Sequence, residues 1–255
     1  MAHRFSPYVP VAVGHAALEE LERVAWSELA HAYGTGRVES SSSGDVQASL
    51  RLLGKRDRDC FADGLRALYS NVHHQGTIYE ASAHAVPFLA AFAAGDVWVG
   101  FARGVATLLA HVAIASSFET TDGTSAGSFG EDVADNTRAA FRASARHLEQ
   151  MVARQPGLAE LERAMAAVVR AAPPRRSQLE KLTELIEAHE NVDDGEGPRL
   201  GDVPRGPEEW VAHPKFGVGA VLRREDDKTR VRFGDGTERV IANQFLQAAD
   251  SPEPG

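Results

Sequence analysis

The hydrophobic pattern of this chain changes period once, and the change limits the folds that the chain can adopt. Up to residue 189, apolar residues such as Phe61, Leu65 and Leu68 recur three and four positions apart, as on one face of a helix. Beyond residue 208, apolar and polar residues alternate in short runs that are typical of strands. The sequence therefore predicts a mainly α protein, with a helical domain over 1–189 and a small all-β domain over 209–247.

The two predicted domains are separated by a segment that has almost nothing to bury. Residues 190–208 are rich in Gly, Pro, Asp and Glu and nearly lack apolar side chains, which is typical of a linker. Residues 248–255 have a similar composition, and we expect a disordered tail there.

The helical domain contains an internal repeat. Val46, Leu50 and Leu53 mark one helix, and a shift of 39 residues places Ala85, Leu89 and Phe92 on the same positions. Two helices joined by a short polar turn, repeated near 40 residues, are typical of an α-solenoid. The pattern over residues 46 to about 115 resembles the HEAT family in degenerate form. An irregular helical bundle is the alternative that the same spacing allows.

Further helices are predicted outside the repeat. The sequence favours one helix over 16–32, with Leu18, Leu21, Ala25 and Leu29 inward, and another over 135–154. Two more amphipathic helices are expected over 156–169 and 179–186.

The C-terminal strands carry a distinctive string. Trp210-Val-Ala-His-Pro-Lys-Phe-Gly-Val-Gly-Ala-Val, followed by Val231-Arg-Phe-Gly-Asp-Gly, resembles the Tudor-like, SH3-like barrel of UvrD/PcrA-type helicases and of CarD-type transcription regulators. The resemblance implies a non-catalytic adaptor that contacts a protein, in those families often RNA polymerase. Its candidate binding face comprises Trp210, His213, Lys215, Phe216, Arg230 and Arg232.

A basic strand face with aromatic residues can also hold single-stranded nucleic acid. In this sequence Glu225, Asp226, Asp227, Asp235 and Glu238 lie among the basic residues and nearly cancel their charge. The pattern therefore disfavours nucleic acid, and a solvated barrel face or a protein-docking face are the interpretations that remain.

The densest polar and aromatic string lies at the junction between the two repeats. We expect Gly76 to close the preceding helix and Thr77 to cap the next one. Three roles are open for the other residues: hydrogen-bonded packing, which the amides favour, contact with a partner, or metal binding. Glu80 and His84 are four apart and share a helix face, a spacing that metal sites use. The candidate residues are Asn71, His73, His74, Gln75, Tyr79, Glu80 and His84.

Charge and cysteine content limit the cellular compartment and the binding partners that we expect for this chain. The chain has 27 Lys and Arg against 36 Asp and Glu, a net charge of −9, which works against nucleic acid or an anionic membrane and favours a basic protein partner. Cys60 is the only cysteine, so no internal disulfide can form. The first residues lack a secretory pattern, and we expect a bacterial cytoplasmic protein.

The sequence offers no convincing catalytic motif. Gly123-Thr-Ser125-Ala-Gly127 has the Gly-x-Ser-x-Gly spacing, but it lies in a turn-rich segment between predicted helices and not between a strand and a helix. A phosphate loop with Lys is absent, and we predict no catalytic residue, no metal and no cofactor. The favoured function is a non-catalytic protein-binding scaffold, in particular a toxin-neutralising immunity protein. The alternatives are an RNA-polymerase or DNA-repair adaptor acting through the barrel, and a metal-dependent hydrolase built on His73, His74, Glu80 and His84.

Overall fold

A computed structural model describes residues 5–35, 45–117, 128, 132–171, 173–191, 210–213, 217–224, 228–233 and 238–249. The predicted linker lies outside these residues except for its first two positions, as do most of the predicted tail and the residues Lys215 and Phe216. The chain divides into two compact units, one with the helices and one with the C-terminal strands. The helical content confirms a mainly α protein. Among the described helices, none combines the length and hydrophobicity needed to span a lipid bilayer.

Among the described residues, the larger unit contains eight α-helices. They are α1 (Val46–Leu53), α2 (Arg58–Asn71), α3 (Glu80–Ala93), α4 (Val99–Ala115), α5 (Val133–Ala143), α6 (Ala145–Arg154), α7 (Ala159–Arg170) and α8 (Arg176–Glu190). Two short hairpins pair β1 (Ala30–His31) with β2 (Gly34–Thr35), and β3 (His73–His74) with β4 (Thr77–Ile78).

The helices α3 and α4 lie at the centre of this unit. Every residue of α3 from Ala81 to Ala93 is buried except His84, which is half-buried. A helix that is apolar on all sides must be covered on all sides. Accordingly, α3 packs against α1, α5 and α6, while α4 packs against α5, α7 and α8.

The N-terminal segment, residues 5–15, covers one face of α3. Its aromatic rings contact residues four apart along that helix, with centroid distances of 5.2, 5.9 and 5.4 Å for the pairs Phe5–His84, Tyr8–Phe88 and His15–Phe92. Glu20 holds the segment, since its carboxylate accepts hydrogen bonds from the Tyr8 hydroxyl and from the backbone N–H groups of Val11 (3.2 Å) and Ala12 (2.9 Å).

The predicted single helix over 16–32 is wrong. The chain forms 3-10 turns at Gly14–Arg23 and Trp26–Glu28 and then enters β1. An α-helix would offer the Leu21 carbonyl to the N–H of residue 25, but that carbonyl accepts from the Val24 N–H (3.2 Å) and the Trp26 indole (2.8 Å). Trp26 is consequently buried, and Ala25, expected inward, is exposed.

The predicted helix over 135–154 is two helices that meet at Ser144. The Ser144 hydroxyl donates to the Ala140 carbonyl at 2.8 Å, and its N–H is shared between the carbonyls of Ala140 and Phe141. A serine that bonds back to the carbonyl four residues earlier bends a helix. The break directs α5 and α6 separately onto α3.

The C-terminal unit is a five-stranded antiparallel sheet. Its strands are β5 (Trp210–His213), β6 (Gly217–Arg224), β7 (Lys228–Phe233), β8 (Glu238–Ala242) and β9 (Gln247–Ala249), in the spatial order β8-β7-β6-β5-β9. Short strands are present in the region where the alternating pattern predicts them, and β9 follows a 3-10 turn at Asn243–Phe245. Val211 and Val231 are buried, and Ile241 and Leu246 pack against them.

Gly64 allows close packing of α1 on α2. A β-carbon at this position would lie 2.8 Å from both the Leu52 β-carbon and the Ser49 carbonyl oxygen, neither of which can rotate away. We expect Gly64→Ala to destabilise the protein by about 1–3 kcal/mol, because the overlap outweighs the roughly 1 kcal/mol that alanine gains in a helix. Urea unfolding followed by circular dichroism measures this change.

The matched control is Gly157→Ala, where a β-carbon would meet nothing within 4 Å. Its free energy of unfolding should stay within about 1 kcal/mol of the wild type. Equal stability of the Gly64→Ala variant and the wild type would show that α1 and α2 are not in such close contact.

Candidate functional site

The junction between α2 and α3 is a β-hairpin. Gln75 and Gly76 form its turn with φ of 51° and 82°, the positive values that a tight two-residue hairpin turn requires. Gly76 therefore does not close α2, and Thr77 is a strand residue instead of a helix cap; both expectations are wrong. The start of α3 is fixed by Ser82, whose hydroxyl accepts from the Tyr79 N–H at 2.8 Å.

The β1–β2 hairpin lies beside the β3–β4 hairpin. The Ala32 N–H donates to the Asn71 carbonyl at 3.1 Å, and the Ala30 N–H donates to the Glu80 carboxylate at 3.2 Å. These bonds join segments about forty and fifty residues apart. Glu80 thus has a structural role that its place in the junction string does not reveal.

The two hairpins bring an aromatic group to the surface. The ring of Tyr33, which is 50% exposed, lies 5.8 Å from the ring of His74. Burial raises the pKa of Tyr79, and the nearby Tyr33 raises it further. Tyr33, His74, Gln75, Gly76 and Tyr79 form a surface that we call the hairpin platform.

Tyr33 carries no signal in the sequence, because its neighbours on the platform come from a segment forty residues later. Gln75, expected to pack, is instead exposed at the turn.

Two other junction residues are built into the interior. Asn71 is fully buried, and its side-chain amide donates to the Ala67 carbonyl at 2.8 Å. The rings of His84 and Phe5 pack edge to face. Burial lowers the pKa of His84, and the Glu80 charge partly offsets this by raising it. These contacts support packing as the role of both residues.

His73 belongs to a separate cluster with Tyr69 and His111. The ring centroids of His73 and His111 are 5.2 Å apart, and Tyr69 lies 6.3 Å from His73 and 5.5 Å from His111. His111 Nε2 is 3.0 Å from Glu190 Oε1, which ties α4 to the last turn of α8. Burial, followed by the His111 imidazole, lowers the pKa of His73 to about 4. His73 is therefore neutral at pH 7.

A groove lies next to this cluster, between α2, α4 and α8. Its volume is about 300 Å³, and its lining residues include Leu65, Tyr69, Arg103, Thr107, His189 and Glu190. We call it the α2–α4–α8 groove.

The charged and ionisable groups of the groove influence one another. The Nε and Nη1 atoms of Arg103 are shielded from solvent. Burial and the Arg103 charge both lower the pKa of His189, and burial and the Glu190 charge both raise that of Tyr69. The sequence offered no signal for this groove, since its residues come from three distant helices.

The four residues proposed for a metal-dependent hydrolase have different surroundings. His73 lies against Tyr69 and His111, His74 against Tyr33, and His84 against Phe5. Within the part of the chain that the structure describes, no group of three His, Cys, Asp or Glu side chains is arranged to hold a metal ion.

The candidate binding face of the C-terminal unit lies on two strands as far as it is described. Trp210 and His213 are the first and last residues of β5, and Arg230 and Arg232 lie in β7. Lys215 and Phe216 fall outside the described residues. This face therefore stays a prediction.

Comparison with known proteins does not assign the chain to a protein family. No family model, curated protein or solved structure matches it. The function must therefore be argued from the geometry and chemistry of the residues themselves.

The lowered pKa of His73 predicts a specific loss of stability in mild acid. An unfolded histidine takes up a proton near pH 6.5, whereas His73 in the folded chain resists protonation down to about pH 4. The unfolded state thus binds more protons between these values, so stability is complete above pH 6.5 and falls towards pH 4. We expect His73 to account for about 1–2 kcal/mol of the loss between pH 7 and 5.

An NMR titration of the His73 ring protons measures the pKa directly, and urea unfolding of His73→Gln at pH 7 and 5 measures its share of the loss. The variant should lose less stability than the wild type over this range. Titration of His73 near pH 6.5, with the same loss in both proteins, would contradict its burial in the cluster.

Proposed function

We propose that the protein acts by binding a basic protein partner through the hairpin platform of its helical unit, without catalysis. The observation that carries this proposal is the exposure of Tyr33 on a hairpin that is hydrogen-bonded to the end of α2 and the start of α3, on either side of the β3–β4 hairpin. Tyrosine is enriched among the residues that dominate binding energy at protein interfaces, because it offers a large rigid ring with a polar end.

Charge next to the platform supports a basic partner. Glu80 is exposed and bonded to Ala30, and the exposed Glu28 lies two residues before Ala30. The chain as a whole carries a net charge of −9. Complementary charge steers a partner and accelerates association, an effect that added salt screens over about 8 Å at physiological ionic strength.

The arrangement of the helices supports a degenerate HEAT-like solenoid. In such a stack each helix pair packs against the pair before it and the pair after it. Here α3 contacts both α1 and α5, and the apolar pattern of the sequence repeats at a spacing of 39 residues. Solenoids use their extended surfaces for docking.

The biological role that we propose is neutralisation of a toxin. A toxin that acts on nucleic acid has a basic surface, because it must contact phosphates. An acidic binding protein can block such a toxin without chemistry of its own. A basic toxin therefore fits the charge and the platform together.

The C-terminal unit supports a second role, as an adaptor that contacts RNA polymerase through an SH3-like barrel. In a flat sheet, β8 and β9 would be four strand spacings apart, about 19 Å. Only residues 243–246 connect them, and a 3-10 turn takes up three of these at about 2 Å each. Such a short connection favours a sheet that curls until its two edges approach each other.

Substitution of Tyr33 tests the platform. Once a partner has been identified from the native host, Tyr33→Ala should weaken its binding at least tenfold, the equivalent of about 1.4 kcal/mol, because the exposed ring would lie at the interface. Stability should change by no more than about 0.5 kcal/mol. Calorimetric titration of the full chain measures the affinity, and thermal unfolding measures the stability.

Val11→Ala is the matched control, since Val11 is an exposed apolar residue outside the platform. It should leave the affinity unchanged. In co-expression, the wild type and the Val11→Ala variant should relieve the toxicity of the partner, and the Tyr33→Ala variant should do so less well.

RNA polymerase as the specific partner would favour the adaptor role instead. In that case Trp210→Ala, in the predicted barrel face, should weaken capture by the full chain, and Tyr33→Ala should not. Measurable turnover of a substrate by the purified protein would contradict both binding roles.

A further inference from the structure

We propose that a groove between α5, α6 and α7 is a binding site for a free hydrophobic α-amino acid, such as leucine or phenylalanine. We call it the α5–α6–α7 groove. It shares no residue with the hairpin platform, and the proposal does not depend on the partner proposed there. It rests on an apolar floor and on accessible charged groups of both signs above that floor.

The groove is formed by helix faces. One wall is a single face of α7, because its lining residues are spaced by three, four, seven and eight positions; they are Glu162, Met165, Ala166, Val169 and Arg170. The opposite wall combines the end of α5 with the first two turns of α6, where Ala145 and Leu148 line it. Three helices therefore hold the groove in shape.

The floor of the groove is apolar and small. Phe141, Leu148, Met165 and Val169 form it, and all four are buried. The volume of the groove is about 140 Å³. A cavity of roughly 150 Å³ with apolar walls can hold benzene. The floor is thus of suitable size for a branched aliphatic chain or a phenyl ring, and too small for a nucleotide or a drug-sized ligand.

The negative groups of the groove are Glu149 and Glu162. Burial raises the pKa of Glu162, and the Glu149 charge also raises it, which places the two carboxylates near each other. Among the described residues, no hydrogen bond or ion pair engages either side chain. A ligand ammonium group would offset both the burial and the mutual repulsion of these carboxylates.

The positive groups are Arg142 and Arg170, both exposed. The Arg170 Nε donates to the Ala166 carbonyl of its own helix at 3.0 Å, which fixes the guanidinium beside the groove lining. Its Nη1 and Nη2 atoms have no partner among the described residues. A guanidinium presents such donors in a planar fork that matches a carboxylate.

The closeness of the opposite charges favours an α-amino acid. The Arg170 charge lowers the pKa of Glu162, so the guanidinium lies near the carboxylates. A simple amine would be attracted by the glutamates and repelled by the arginines, and a simple carboxylate would meet the reverse situation. An α-amino acid carries its ammonium group and its carboxylate on one carbon, and its side chain can enter the floor.

The test is calorimetric titration of the full-length protein with L-leucine and L-phenylalanine. Each is compared with compounds that lack one feature. The ammonium group is absent from 4-methylpentanoate and 3-phenylpropanoate, the carboxylate from 3-methylbutylamine and 2-phenylethylamine, and the side chain from glycine. At least one of the two amino acids should bind at least tenfold more tightly than each of its three matched compounds.

Three pairs of variants at exposed positions locate the site. Glu149→Gln and Arg170→Gln should each weaken binding at least tenfold. Their controls, Glu160→Gln and Arg154→Gln, remove the same charges outside the groove lining and should not.

The third pair tests the shape of the groove. Ala145→Leu adds bulk to the lining and should also weaken binding at least tenfold, whereas Ala143→Leu, two residues earlier and outside the lining, should not. Thermal unfolding of each variant verifies its fold, and any one pair of folded variants is sufficient to locate the site.

Equal binding of N-acetyl-leucinamide or N-acetyl-phenylalaninamide would overturn the proposal, because it would point to a side chain within a partner protein instead of a free amino acid. The proposal is also overturned if neither amino acid binds saturably, if a matched compound binds as tightly as its parent, or if the groove variants and their controls lose the same affinity.

Discussion

The burial of nearly all of α3 and most of α4 is the constraint on which the helical unit depends. These two helices offer almost no polar face, so they gain stability only when other elements surround them. The N-terminal segment, α5 and α6 cover α3, while α7 and α8 cover α4. Each surface proposed for binding is built from these covering elements and from the hairpin that leads into α3.

The covering elements bring distant parts of the sequence together at two places. The hairpin platform joins Tyr33 to residues near 75, through the ring contact with His74 and the neighbouring backbone hydrogen bond from Ala32 to Asn71. The α2–α4–α8 groove brings Tyr69 and Arg103 to the last turn of α8. In both places, exposed or half-buried polar groups lie on rigid elements, which is the arrangement that recognition requires.

Local patterns in the sequence predict most of the helices and the C-terminal strands, but not the contacts between them. The helices α1 and α2 were confirmed because apolar spacing is a property of neighbouring residues. The breaks at Leu21 and Ser144 were missed because each depends on one hydrogen bond that competes with the helix. The sequence indicates the part of the candidate site that lies within residues 71–84. It does not indicate Tyr33, His111 or Glu190, because only folding brings these residues near that segment.

Hydrogen–deuterium exchange of the full chain, with and without its partner, is the most direct measurement of where binding takes place. If the helical unit binds through the hairpin platform, amide exchange should slow at residues 30–35 and 73–80, while the strands between 210 and 249 exchange as before. Protection confined to those strands, with unchanged exchange at both hairpins, would contradict the central proposal.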